Sequence, residues 1–124
     1  MGKSLHNKVF DQGLEYLKNN SSKMIVCSAQ PTTYLEATST YALADVAMSS
    51  TDYTIADGDT SGRKITAAAK STVTIDASGT GTHIAHVNDT GTELLWVSTT
   101  PSQGLTSGGT VDIGTHKHET ADPA

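Results

Sequence analysis

The residues best suited to chemistry stand near the end of the chain, in IGTHKHET. His116 and His118 are separated by one residue, and on a strand side chains two apart project to the same face. Two neutral imidazoles side by side are ligands for zinc, iron or nickel. A mononuclear site needs about four ligands, however, and one strand supplies two. Glu119 falls on the opposite face. His83 and His86 lie on another strand and face opposite ways from each other. A symmetric trimer that gathered three copies of the His116/His118 pair around one axis would complete a transition-metal site. The simpler reading is a solvated strand end, with no cofactor, and it is preferred here.

The segment DGDTSG resembles the first half of a calcium loop, with Asp57, Asp59, Ser61 and Gly62 in alternating positions. The full loop requires a bidentate glutamate at its twelfth position, which here is Ala68. Asp and Gly equally suit a plain hairpin turn, and a turn is expected. Cys27 is the single cysteine; set in the apolar run MIVCSA, it reads as a small buried hydrophobe. SGTG and TSGGT match neither a nucleophile elbow nor a phosphate loop. The carboxylates are mostly scattered singly, so none can be paired for hydrolysis. Trp96, placed on one strand face with Leu94, reads as core. His6 reads as a solvated helix residue. These residues nominate no enzyme.

The elements that must position these side chains are mostly strands. Residues 4–18 form the one clear helix, capped by Ser4, with Leu5, Val9, Phe10, Leu14 and Leu17 at helical spacing on one face. That stripe needs a partner, either a sheet or a neighbouring subunit. Residues 23–29 read as a buried strand, 32–40 as a loop with one helical turn, and 43–49 as a strand. DYTI and RKITAAA flank the turn ADGDTSG, STVTIDA follows, and DTGT joins THIAHVN to ELLWVSTT in a hairpin. TVDIGTHKH reads as one last strand. Short strands joined by Gly-rich turns give a mainly β fold, an antiparallel β-sandwich or small barrel with one N-terminal α-helix. The organisation expected is a helical docking arm over 1–20, a sandwich domain over 21–119 and a polar tail over 120–124.

Composition supports this class and narrows the partners. Only 35% of the 124 residues are hydrophobic and 5% aromatic, so the core must be thin, while a charged fraction of 17% is too low for a typical disordered chain. The net charge is −5, and there is no basic stripe of the kind nucleic acid requires. The N-terminus lacks the apolar segment of a signal peptide, and its sixth residue, His6, departs from the myristoylation pattern. No stretch is long enough for a membrane-spanning helix. Neither nucleic acid nor membrane is an expected partner, and synthesis in a host cytoplasm is.

The succession FDQGLEYLKNN, MIVCSAQPTTYLEA, ADGDTSGRKIT, SGTGTHIAHVND and TSGGTVDIG resembles small β-rich virion structural proteins of tailed bacteriophages. The likeness spans nearly the whole chain and consists of structural punctuation, without a catalytic motif. It implies a non-enzymatic, multi-copy virion component. The first expectation is a capsid decoration or cement protein that bridges major capsid subunits as a homo-oligomer such as a trimer, docking through Leu5, Val9, Phe10, Leu14 and Leu17. Alternatives are a tail, neck or fibre-base protein, for which metal at His116/His118 would argue, and a carbohydrate-binding module using Trp96 and tyrosines for host attachment.

Overall fold

The computed structural model describes residues 5–121. Its helix, α1, spans Asn7–Asn20. The chain enters it through His6, whose extended backbone and Nδ1, accepting from the Lys8 N–H at 3.1 Å, make it the N-cap. The helix therefore begins later than the sequence suggested; Ser4, the expected cap, lies outside the described residues. It also runs past Lys18. Asn20 remains helical and donates its side-chain amide to the Tyr16 carbonyl at 2.9 Å, and the Ser21 N–H closes the last turn on Leu17. The apolar stripe divides. Phe10, Leu14 and Leu17 are buried, whereas Leu5 and Val9 remain 41% and 57% exposed.

The strands are β1 (Lys23–Cys27), β2 (Ala42–Ala47), β3 (Tyr53–Asp57), β4 (Arg63–Ala67), β5 (Lys70–Thr74), β6 (Gly79–Asn88), β7 (Glu93–Leu105), β8 (Thr110–Ile113) and β9 (His116–Thr120). They form three sheets, ordered β2-β1-β6-β7, β3-β4-β9 and β5-β8, with every pairing antiparallel. A bridge between Ala44 and Ile75 attaches the two-stranded sheet to β2. The result is a small β-sandwich, mainly β, with its helix at the N-terminal end, and it does not close into a barrel.

One core lies between the sheets. Met24 and Val26 of β1, Ile84 of β6, Tyr53, Ile65 and Ala67 of β3 and β4, and Val73, Val111 and Ile113 of the two-stranded sheet meet there with Leu14 and Leu17. The other face of β1 and β6 carries Ile25, Cys27, Ala85 and Val87, which pack with Ala37. Ala37 belongs to the helical turn Glu36–Thr40, which is wound with π spacing. Both faces of β1 are thus covered, which is why its sequence is a continuous apolar run rather than an alternating one.

Two expected details change. TVDIGTHKH is not one strand: β8 pairs with β5 and β9 with β4, and the chain crosses between sheets at Gly114 and Thr115. Leu94 and Trp96 do not share a face either. The register slips between His86 and Val87, so that His86 faces Trp96 and Val87 faces Leu94. The extra residue, Leu95, turns the strand over. Leu95 and Trp96 pack on the main core, and Leu94 and Val97 on the second. A bulge of this kind reverses the inside–outside alternation.

Candidate functional site: a histidine relay between the sheets

His86 is fully buried, on the inner face of β6 between Met24 of β1 and Trp96 of β7. The indole stacks on its ring, centroids 4.5 Å apart and planes inclined 15°. Both ring nitrogens cross to the facing sheet. Nδ1 lies 2.7 Å from the Tyr53 hydroxyl of β3, and Nε2 lies 2.7 Å from Nε2 of His116 on β9. The chain of contacts extends further at each end. Tyr53 Oη is 2.6 Å from Ser21 Oγ, and His116 Nδ1 is 3.1 Å from the Gly114 carbonyl.

Elementary valence fixes the direction of this relay. A carbonyl only accepts, so His116 Nδ1 carries a proton and, in the neutral ring, its Nε2 accepts. His86 must then donate from Nε2 and accept at Nδ1. Tyr53 donates to that nitrogen and accepts from Ser21. One all-neutral assignment satisfies every contact. Burial favours the neutral forms: it depresses His86 to about 3, with the nearby His116 adding to the effect, lowers His116, and raises the Tyr53 hydroxyl to about 12.

The histidine pair of β9 is therefore split in role. His116 turns both nitrogens to partners within the protein, so neither offers a free lone pair to a metal. His118 is exposed at the margin, its ring 6.3 Å from Trp96. Among the described residues no group of three or more His, Cys, Asp or Glu side chains is arranged to hold a metal ion. His83 faces the other way and contacts Thr82 Oγ1 through Nδ1 at 2.8 Å. Trp96 has one face covered by His86 and also lines an open groove.

The DGDTSG loop turns three backbone amides toward a single carboxylate. The N–H groups of Asp59, Thr60 and Ser61 converge on the Glu119 carboxylate at 2.5–3.4 Å. Three consecutive amides form an anion nest, the inverse of a calcium loop. Asp59 turns to Lys117 and Lys64, whose hydrogen bonds, and then their charges, lower its pKa to about 2. Cys27 is fully buried and its thiol is pushed up to about 11 by desolvation, which leaves it inert as a nucleophile.

Sequence reasoning missed Ser21, Tyr53 and His86 as a connected set. One signal was present: His86 shares parity with Ile84, on the strand face that fills the core. A histidine at such a position needs hydrogen-bond partners, but their identity depends on the facing sheet.

A second feature borders the relay. Leu5, Val9, Phe10, Gly13, Leu14 and Leu17 of the N-terminal segment line one wall of an open groove; Leu95, Trp96, Val97, His118 and Thr120 line the other. β7 and β9 are each the last strand of their sheet, so two strand edges flank this apolar channel. The molecule is thus a small antiparallel sandwich with a neutral polar spine and an apolar groove along its open margin. Comparisons with protein-family models, with curated proteins and with solved structures find no match.

Proposed function

We propose that the protein is a non-enzymatic structural component of a tailed-phage virion, a capsid decoration or cement protein that bridges and stabilises major capsid subunits as a symmetric homo-oligomer. The resemblance noted in the sequence supplies the context. The observation that carries the reading is the groove, where exposed Leu5 and Val9 stand beside the terminal strands β7 and β9. Exposed apolar side chains next to strand edges suit attachment, because a partner strand can add main-chain hydrogen bonds while its side chains fill the channel. The relay fits the same role. Its ionisable groups are buried, neutral and mutually satisfied, which favours rigidity over turnover.

The test uses purified particles. Mass spectrometry should find the chain in heads at many copies, and the double variant Leu5→Asp/Val9→Asp should fold yet lose at least about tenfold in particle occupancy, since it buries charge at the contact. Deleting the whole helix would be uninformative, because Phe10, Leu14 and Leu17 belong to the protein's own interior. Full occupancy of the double variant would remove the groove as the docking surface. Recovery in tails alone would transfer the reading to a tail, neck or fibre-base protein, and absence from particles would end it.

A further inference from the structure

His86 ties the four-stranded sheet to both outer strands of the facing sheet, to β3 through Nδ1 and to β9 through Nε2. We propose that the His86–His116 contact is an acid-sensitive latch between the two sheets, one that admits a first proton and is broken by a second, parting the sandwich along its β7/β9 margin. The inference rests on the buried pair and not on the virion reading.

A first proton can be accommodated at His86 Nδ1. The Tyr53 hydroxyl then reverses, accepting from His86 and donating to Ser21 Oγ, and the His86–His116 bond survives. The stacked Trp96 ring favours the cation at that position. A second proton finds one remaining lone pair, His116 Nε2, and that atom already receives the His86 N–H at 2.7 Å. Protonating it sets two N–H groups head to head and two cations in contact.

The surroundings offer little relief. Facing the pair from β3 is Tyr53, on which Asp52 exerts a coulombic effect. Trp96 of β7 and Met24 of β1 bring no charge. On the β9 side, His116 shares a shallow cleft with Lys64 of β4 and Lys117 of its own strand, and His118 stands at the margin by Trp96. The carboxylate nearest those lysines, Asp59, is paired to both. Loss of the latch frees Trp96, which shares the groove wall with His118 and Thr120, so the groove widens where the sheets separate.

The experiment follows Trp96, the sole tryptophan, by fluorescence and the imidazoles by nitrogen-15 NMR in the full chain, from about pH 8 to about pH 3. At neutral pH, His86 should show the Nε2–H tautomer and His116 the Nδ1–H tautomer. On acidification the Trp96 emission should stay unchanged as His86 takes up the first proton and shift to the red only as His116 takes up the second. His116→Gln keeps an acceptor for His86 but cannot be protonated. With no second proton to take up, the variant should keep its Trp96 emission unshifted through the pH range of the wild-type transition. A red shift at the wild-type midpoint in that variant would overturn the latch. If the variant fails to fold, the wild type decides: an Nδ1–H tautomer at His86, a red shift that accompanies the first proton, or flat Trp96 emission across both titrations each overturns it.

Discussion

Arg63 on β4 grips Asp11 on α1 with two hydrogen bonds, Nε to Oδ1 at 2.8 Å and Nη2 to Oδ2 at 3.3 Å. The fork geometry matches carboxylate to guanidinium, and both side chains are only 18% exposed. With Phe10 buried beside Asp11 and Leu14 and Leu17 buried about one and two turns on, the pair fastens the helix to the sheet. Asp11→Ala should therefore lower the melting temperature and reduce hydrogen-exchange protection in α1 before it does so in β6. Uniform loss across helix and sheet would show that the helix and the sandwich open as one unit.

Gly13 lies mid-helix, and a Cβ added there would meet nothing within 4 Å. Glycine in a helix interior costs about 0.5–1 kcal/mol relative to alanine. Gly13→Ala should raise unfolding free energy in urea by about that amount, with an unchanged m-value. A destabilised variant would mean that the groove it lines is narrower than the contacts indicate.

Thr72 adopts φ 57° at an irregularity in the β5–β8 pairing, where its N–H donates to the Asp112 carboxylate at 2.9 Å. A β-branched residue in the left-handed region is strained, and asparagine tolerates that region far better. Its side chain is exposed, so little packing is at stake. Thr72→Asn should stabilise the fold by roughly 1 kcal/mol. No gain in a thermal melt would indicate that the threonine side chain makes a compensating contribution.

How much of this was legible in the sequence differs by element. Fold class followed from β-branched residues between glycine turns. The burial of β1 followed from MIVC, because only a strand covered on both faces tolerates such a run. The hairpin at DTGT formed as its residues suggested, although the left-handed residue is Thr92, at φ 52°, rather than Gly91. A Cβ on Gly91 would stand 2.9 Å from the Asn88 amide and 3.0 Å from the Glu93 carboxylate, so those two side-chain ends would have to shift to admit it. The faces of β7 were not legible. Alternation pairs Leu94 with Trp96, and only the bulge opposite His86 separates them. The candidate site was half legible: His116 stood out by its spacing from His118, while its true partner comes from a strand thirty positions earlier, through sheet packing that local pattern does not encode.

The relay sets the sign of the pH dependence. Burial, with His116 beside it, pushes His86 down to about 3 from the ordinary 6.5, and burial lowers His116 as well. The two rings are neutral in the folded and the unfolded chain above about pH 7, so their contribution is then fully present. As pH falls from about 6.5 toward 3, the unfolded chain takes up protons that the folded one refuses. Stability should decline with a slope of about 1.4 kcal/mol per pH unit for each histidine involved. Urea midpoints measured across this window check it; a flat profile would show that both rings are protonated in the fold.

Tyr53→Phe isolates the polar part of the relay, because it removes one oxygen and leaves the ring in place. The aromatic edge against His86, with centroids 5.6 Å apart, is retained, but Nδ1 of a buried imidazole and the hydroxyl of Ser21 both lose their partner. A buried polar group left unsatisfied costs about 1–3 kcal/mol, and the variant should lose stability in that range at pH 8. His86 must then resolve its empty acceptor. One route is to shift its proton to a different tautomer, which would also disturb the bond to His116. Nitrogen-15 spectra of the variant should consequently show changes at both rings rather than at His86 alone. A variant as stable as the wild type, with His116 unaltered, would mean that Tyr53 is a packing residue and that the four side chains do not act as one chain.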